Sequence, residues 1–222
     1  MIRKNGSFNL YLLRHAEAFK NLAKVHGGGD QRLTPTGENQ ARALGHLLQD
    51  LIADDGSLKV IHQPEGRSKS TAQHIGSIAV GQIMEIDDLV GVKLGVAGGL
   101  SEEELEKQYP EVAVALADWR NKKGNLNARP HVPGSEHMEE FAERILRGVL
   151  SSIELCEPSE SLAIVGTTST LNMMNHLLTN DGDYVRSSYD FIEYPLASFA
   201  TWRISPERPL QIAPTVQVGE FA

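Results

Sequence analysis

Short apolar runs alternate with segments of helical periodicity along this chain, and that alternation constrains the fold more than any other feature. We predict strands at residues 8–13, 59–61, 83–86 and 162–165, and two more within 189–204 around Pro195. Helices are predicted between them, one beginning at Thr34-Pro35 and others near 67–79, 101–109, 112–119, 141–153 and 170–178. Strands that alternate with helices form a mostly parallel sheet with both faces covered. The sequence therefore predicts an α/β, three-layer sandwich.

Composition excludes several classes of protein. The 222 residues suffice for one large domain with a sizeable core. The net charge is −8 and no block of lysine and arginine stands out, which argues against nucleic acid or an anionic membrane as a partner. Cys156 is the single cysteine, so no intrachain disulfide can form. We find no signal peptide and no apolar run long enough to span a bilayer, and we expect a cytoplasmic protein. The oligomeric state stays open.

Polar residues follow three of the predicted strands directly. They are Arg14-His15, Gln63-Pro64-Glu65-Gly66-Arg67 and Gly166-Thr167-Thr168-Ser169. Ligands bind beyond the carboxyl ends of the strands in such a sheet, so these segments should converge on one site. Arginine side chains match a phosphoryl group, and a neutral imidazole between two of them could attack phosphorus. Backbone N–H groups and hydroxyls at the start of a helix can also hold an anion.

Five segments make the sequence similar to a known family, the histidine phosphatase superfamily, which includes the cofactor-dependent phosphoglycerate mutases and many acid phosphatases. The stretch Leu13-Arg14-His15-Ala16-Glu17 resembles its Leu-Arg-His-Gly-Glu signature, and Gln63-Pro64-Glu65-Gly66-Arg67 with Thr71-Ala72 resembles its Ser-Pro-x-x-Arg-x-x-x-Thr-Ala stretch. The other similar segments are Leu33-Thr34-Pro35-Thr36-Gly37 with Gln40-Ala41, Tyr109-Pro110-Glu111 and Pro133-Gly134-Ser135-Glu136.

The resemblance implies both a fold and a site. The fold would be a phosphoglycerate mutase-like sandwich, one domain over 1–222, with a small helical cap inserted at roughly 88–135. His15 would be the nucleophile, and Arg14, Asn21 and Arg67 would bind phosphate, with Thr167 and Thr168 contributing. The partner would be a small phosphorylated metabolite or inorganic phosphate, and we expect no metal ion and no cofactor.

Two departures from the family pattern bear on activity. Threonine stands at 167, where the family has its second catalytic histidine in a Val-Ser-His-Gly-like stretch. Gly91 stands where the family has an acidic glutamate, so Asp87 or Asp88 would have to serve as the acid, with Asp88 the first candidate. A third, milder change puts Ala16 in place of glycine. This active site is therefore degenerate by the family's standard.

Three functions are compatible with these residues. The first is a phosphatase or phosphotransferase that acts through a phosphohistidine at His15 and favours substrates with good leaving groups, because a lost general acid costs about 10²–10⁴ in rate. The second is a phosphate-binding protein without catalysis. The third is different chemistry in the same pocket, using other histidines, namely His26, His62, His131 or His137. Phosphoglycerate mutase activity is not expected, since that reaction needs the acid-base groups that are missing.

Overall fold

The structure, a computed structural model, describes residues 7–52, 56–121, 129–157, 160–183, 192–205 and 210–217. Within them the strands are β1 (Phe8–Arg14), β2 (Ser57–His62), β3 (Gln82–Glu85), β4 (Glu160–Gly166), β5 (Ser198–Ile204) and β6 (Leu210–Gln217). The α-helices are α1 (Phe19–Leu22), α2 (Pro35–Leu51), α3 (Gly66–Ile78), α4 (Glu102–Gln108), α5 (Pro110–Asn121), α6 (Met138–Leu155) and α7 (Thr168–Thr179). Two short 3₁₀ turns lie at Asp87–Leu89 and Gly95–Ala97. No helix within these ranges is long and apolar enough to cross a membrane.

All six strands belong to one sheet, in the order β3-β2-β4-β1-β5-β6. The first four in that order are mutually parallel, whereas β5 runs antiparallel to β1 and β6 antiparallel to β5. The central pair, β1 and β4, is in register from Leu10 opposite Leu162 to Arg14 opposite Gly166. The prediction of a mostly parallel sheet is confirmed, and the polar ends of β1 and β4 lie side by side.

Side chains of β1 alternate between the two faces of the sheet, as a strand requires. Leu10 and Leu12 pack into an apolar cluster with α6 and α7, while Tyr11 and Leu13 pack on the opposite face with α2 and α3. All four are buried. The helices therefore form a layer on each side, and the predicted three-layer sandwich is confirmed.

Two helices begin where the capping residues predict. The Thr34 hydroxyl accepts the N–H of Gly37 at 2.9 Å, and Pro35 occupies the first turn of α2. Ser101 and Glu104 form a reciprocal capping box at the start of α4. These contacts satisfy N–H groups that the first turn of a helix leaves without partners.

A third, smaller apolar cluster lies away from the sheet. It joins α4 and α5 to the chain before and after them through Ala97, Leu105, Ala113, Leu116 and Val132. This cluster is what a small helical insertion would need as its own core. The assignment of roughly 88–135 as a cap stays a prediction, and part of that range, 122–128, falls outside the described residues.

The carboxyl-terminal part differs from the sequence prediction. Of the two strands expected within 189–204, the structure has β5, and the described residues before it, 192–197, form no strand. Residues 189–191 lie outside the described part. The hydroxyl and the N–H of Ser198 both bond to the Pro195 carbonyl, and Ala197 has a positive φ of 54°, so a turn precedes β5. The second strand is β6, which the sequence analysis did not predict.

Candidate active site

The three predicted polar segments meet at the carboxyl ends of β1, β2 and β4. The N–H of His15 donates to the Gly166 carbonyl at 3.1 Å, and the N–H of Gln63 donates to Val165 at 3.3 Å. The side-chain oxygen of Gln63 accepts the N–H of Thr167 at 3.1 Å. These hydrogen bonds fix the three loops relative to one another.

His15 is buried, with 3% of its surface exposed, and both of its ring nitrogens have partners. Nδ1 lies 2.8 Å from the carbonyl oxygen of Ala16, which can only accept, so Nδ1 carries the proton. Nε2 then accepts a hydrogen bond from Nε of Arg67 at 2.9 Å. Burial, followed by the charge of Arg67, holds the pKa of His15 well below its usual value. The ring is therefore neutral, with the lone pair of Nε2 directed at an arginine.

Arg67 lies at the start of α3 and is also buried. Its Nη1 donates to the side-chain oxygen of Gln31, and burial lowers its pKa. The hydroxyl of Thr71, one turn later, donates to the Arg67 carbonyl at 2.7 Å and accepts the N–H of Ala16 at 3.0 Å. Thr71 thus connects the loop that holds His15 to the helix that holds Arg67.

Arg14 reaches the same region from the end of β1. Its Nη1 donates to the carbonyl of Tyr194, in a segment that Asn172 fixes by two hydrogen bonds with the backbone of Ile192, at 2.8 and 2.7 Å. Its Nε is buried without a hydrogen-bond partner among the described residues. Burial, with the charge of Arg67, lowers the pKa of Arg14 to about 10. The shift reflects burial first, and second the guanidinium group of Arg67 nearby.

Lys20 is a third cation of this group, and the sequence analysis missed it. Burial, followed by the charges of Arg67 and Arg14, lowers its pKa to about 8. Lys20 therefore lies near both arginines, and three neighbouring cations favour the binding of an anion. The only signal in the sequence was its position in the segment between the His15 signature and Asn21.

The remaining predicted phosphate ligands occupy helix starts. The side-chain oxygen of Asn21 accepts the N–H of Ala18 at 2.9 Å, which caps the short helix α1. Thr167 precedes α7, and its hydroxyl lies 3.2 Å from that of Ser169 and 3.1 Å from that of Thr170. Thr168 is the first residue of α7, and its carbonyl accepts the side chain of Asn172. Phosphate binding by Asn21, Thr167 and Thr168 stays a prediction.

The two positions that depart from the family pattern lie next to each other. A Cβ atom added to Gly91 would lie 3.2 Å from the hydroxyl oxygen of Thr167 and 3.0 Å from Oε1 of Glu65. That oxygen of Glu65 accepts the N–H of Gly91 at 2.9 Å. A carboxylate therefore lies beside Gly91, and it comes from Glu65, the residue that directly precedes the helix carrying Arg67.

Asp88, the acid suggested by the sequence, has its contacts on α6. A Cβ atom at Gly148 would lie 3.2 Å from Cβ of Asp88, and Nη2 of Arg147 is 3.5 Å from its carboxylate. Arg144 donates to its backbone carbonyl. The structure thus gives Asp88 surface partners on α6, and its role as an acid stays a prediction.

The other histidines considered from the sequence are spread over the molecule. His131 and His137 are exposed and stack on each other, with ring centroids 4.8 Å apart. Nδ1 of the buried His62 bonds to the Gln63 carbonyl at 2.9 Å, and the backbone of His26 bonds to Gly99 and Leu100. Among the residues that the structure describes, no group of three or more His, Cys, Asp or Glu side chains could hold a metal ion.

The sequence profile of the Histidine phosphatase superfamily (branch 1) matches residues 10–204, so the chain belongs to this family. The probable phosphoglycerate mutase GpmB of Salmonella paratyphi C is 30% identical over 157 residues, covering 70% of this chain and 67% of that protein. The phosphatase PhoE of Bacillus subtilis is 29% identical over 164 residues, covering 73% of each chain.

Solved structures show the same fold. The α-ribazole phosphatase of Shigella flexneri superposes with a TM-score of 0.71 at 19% identity, covering 92% of this chain and 95% of that one. A mycobacterial glucosyl-3-phosphoglycerate phosphatase in complex with inorganic phosphate gives a TM-score of 0.72 at 17% identity, with 95% and 98% covered. Both are phosphoglycerate mutase-like sandwiches by this comparison.

Proposed function

We propose that this protein binds a phosphorylated small molecule and transfers or hydrolyses its phosphoryl group through a phosphohistidine at His15. One observation carries the proposal: Nε2 of a buried, neutral His15 lies 2.9 Å from Nε of Arg67. A nucleophile that faces a phosphate-binding cation is the arrangement that phosphoryl transfer requires. The relatives, a probable phosphoglycerate mutase and a phosphatase, support the reaction class.

The first step forms a covalent intermediate. As the substrate enters, the hydrogen bond that Nε of Arg67 donates to His15 is exchanged for one to a phosphoryl oxygen. This exchange frees the lone pair of Nε2. Nε2 then bonds to phosphorus while the bond between phosphorus and the leaving oxygen breaks. The carbonyl of Ala16 holds the Nδ1 proton and stabilises the positive ring that results. In the second step water, or an acceptor hydroxyl, attacks phosphorus and the electron pair of the P–N bond returns to Nε2.

Substrates with good leaving groups should be preferred. Thr167 supplies no imidazole donor, and Gly91 supplies no acid. An acyl phosphate leaves as a carboxylate and needs little protonation, whereas an alkyl phosphate leaves as an alkoxide that must receive a proton. The proposed substrates therefore include acyl phosphates, phosphoanhydrides and phosphohistidines.

The same two replacements favour a second candidate function, which is phosphate-ligand binding without turnover. Phosphate release from acetyl phosphate and from glycerol phosphate separates the two. We expect acetyl phosphate to give the higher kcat/KM, and His15→Ala to abolish release from both. His46→Ala, which alters an exposed histidine on α2, is the matched control. Tight calorimetric binding of phosphate without release from either compound would establish the binding protein instead.

A further inference from the structure

The side chain of Glu65 reaches Gly91, one of the two positions that depart from the family pattern. It lies directly before α3, two residues ahead of Arg67. In the sequence, the segment at 63–67 indicated a phosphate site through Arg67 and gave Glu65 no role. Its carboxylate accepts the N–H of Gly91, where the family's acid is missing, and a Cβ atom at Gly91 would also lie 3.2 Å from the Thr167 hydroxyl.

The geometry at Gly91 places any side chain at 91 in tight contact with the Glu65 carboxylate. The Cβ atom of any residue at 91 would start 3.0 Å from Oε1 of Glu65 and 3.2 Å from the Thr167 hydroxyl. A glutamate at 91 would therefore extend into the region that the Glu65 carboxylate occupies. Glycine at 91 is the residue that leaves room for a carboxylate arriving from the other loop.

The hydrogen bonds of Glu65 leave one oxygen available. Oε1 accepts the N–H of Gly91 at 2.9 Å, which fixes the carboxyl group. Oε2 is buried and has no hydrogen-bond partner among the described residues. Buried polar atoms are nearly always paired, so this oxygen calls for a partner that arrives with a ligand.

Charge places the same carboxyl group at the anion site. Its negative charge raises the pKa of Arg67 and that of Lys20, opposing the effect of burial on both. Arg67 in turn holds His15. The Glu65 carboxyl group therefore lies close enough to Arg67 and Lys20 to act on their charges.

We propose, building on the function proposed above, that Glu65 is the general acid and base of the reaction. In the protonated form, Oε2 gives its proton to the leaving oxygen as the bond from that oxygen to phosphorus breaks and His15 takes the phosphoryl group. The resulting carboxylate then accepts a proton from the water that attacks the phosphohistidine. Glu65 is protonated again at the end of each cycle. Turnover of alkyl phosphates depends on the proton that it donates.

The test uses Glu65→Gln on substrates of different leaving group. Glutamine retains an oxygen that accepts the Gly91 N–H, so a purely structural role is preserved, but it has no acidic proton. We expect the rate of phosphohistidine formation from glycerol phosphate to fall by roughly 10²–10⁴ while formation from acetyl phosphate changes little, because only the alkoxide needs a proton from Glu65. Hydrolysis of the phosphohistidine, which both substrates share, should slow equally for both. Across a series of aryl and alkyl phosphates, the rate of this variant should depend more steeply on leaving-group basicity than that of the wild type. Glu38→Gln, an exposed carboxylate on α2, is the control.

A double variant makes the test reciprocal. Glu65→Ala with Gly91→Glu removes the carboxylate from one loop and supplies it from the other, into the volume just vacated. We expect this pair to recover alkyl phosphate turnover relative to Glu65→Ala alone. Recovery would exclude a general loss of folding as the cause of the single-variant defect.

Several results would overturn the inference about Glu65. They are an equal loss in the rate of phosphohistidine formation from both substrate classes in Glu65→Gln, no loss at all, or a loss confined to alkyl phosphates in Asp88→Asn. Wild-type turnover of acetyl phosphate with none of glycerol phosphate would also overturn it, while leaving the proposed function intact. Absence of turnover on every substrate would instead remove the proposed function, and the role of Glu65 with it.

Discussion

Replacing Thr71 with valine tests whether the nucleophile loop is held in place by α3. The Thr71 hydroxyl accepts the N–H of Ala16 at 3.0 Å and donates to the carbonyl of Arg67 at 2.7 Å, and the residue is fully buried. Valine preserves the shape but leaves the Ala16 N–H without a partner, which costs about 1–3 kcal/mol. Because the Ala16 carbonyl orients the ring of His15, we also expect kcat/KM to fall by about 10–100-fold.

The assay combines urea unfolding with acetyl phosphate kinetics. Thr179→Val is the matched control, because the hydroxyl of Thr179 makes the same kind of bond to a carbonyl one turn earlier, that of Asn175 at 2.8 Å. Thr179→Val therefore loses one hydrogen bond from a side-chain hydroxyl to a helix carbonyl, and no backbone N–H group loses its partner. Thr71→Ser should stay close to wild type in activity. Equal losses of stability and activity in Thr71→Val and Thr179→Val would refute the link between Thr71 and the nucleophile loop.

Two further predictions concern the anion site and its support. Because burial and the neighbouring cations lower the pKa of Lys20 to about 8, Lys20 is charged below that pH and loses its charge above it. The affinity for sulfate, measured by calorimetry, should fall as pH rises from 7 to 9, because Lys20 loses its charge whereas sulfate itself does not titrate in that range. This fall should disappear in Lys20→Met. A pH-independent affinity in the wild type would contradict the placing of Lys20 in the anion site. Gly37→Ala places a methyl group against the carbonyl oxygen of Glu17, and overpacking of this kind typically costs about 1–3 kcal/mol, so urea unfolding should show a lower midpoint. A midpoint at or above that of the wild type would show that the Glu17 loop yields without cost.

Local sequence patterns predicted most of the fold because they act over a few residues. The alternation of Leu10 and Leu12 with Tyr11 and Leu13 defined a strand buried on both faces, and the structure places each pair in a different apolar cluster. The cap at Thr34 was equally local. The ends of parallel strands converge by topology, so the meeting of three polar loops followed from the alternation of strands and helices.

Contacts between distant segments account for what the sequence could not predict. The carbonyl that Arg14 binds belongs to Tyr194, which is 180 positions away along the chain. The carboxylate of Glu65 accepts the N–H of Gly91, which lies 26 positions later in the chain. Neither local sequence pattern predicts that pairing. The sequence did not predict β6, because Pro214 lies within it and a residue without a backbone N–H weakens the strand pattern. Lys20 became visible as a site residue once packing had placed it near Arg67 and Arg14.

Covalent labelling tests directly whether His15 becomes phosphorylated. The wild-type protein is mixed with acyl phosphate carrying radiolabelled phosphorus, quenched, and divided between acid and base before the retained label is counted. We expect a label that is lost in acid, survives in base, and is absent from His15→Ala although Arg14 and Arg67 still bind phosphate in that variant. A label of the same size in His15→Ala, or none in a wild-type protein that binds phosphate tightly, would contradict this expectation.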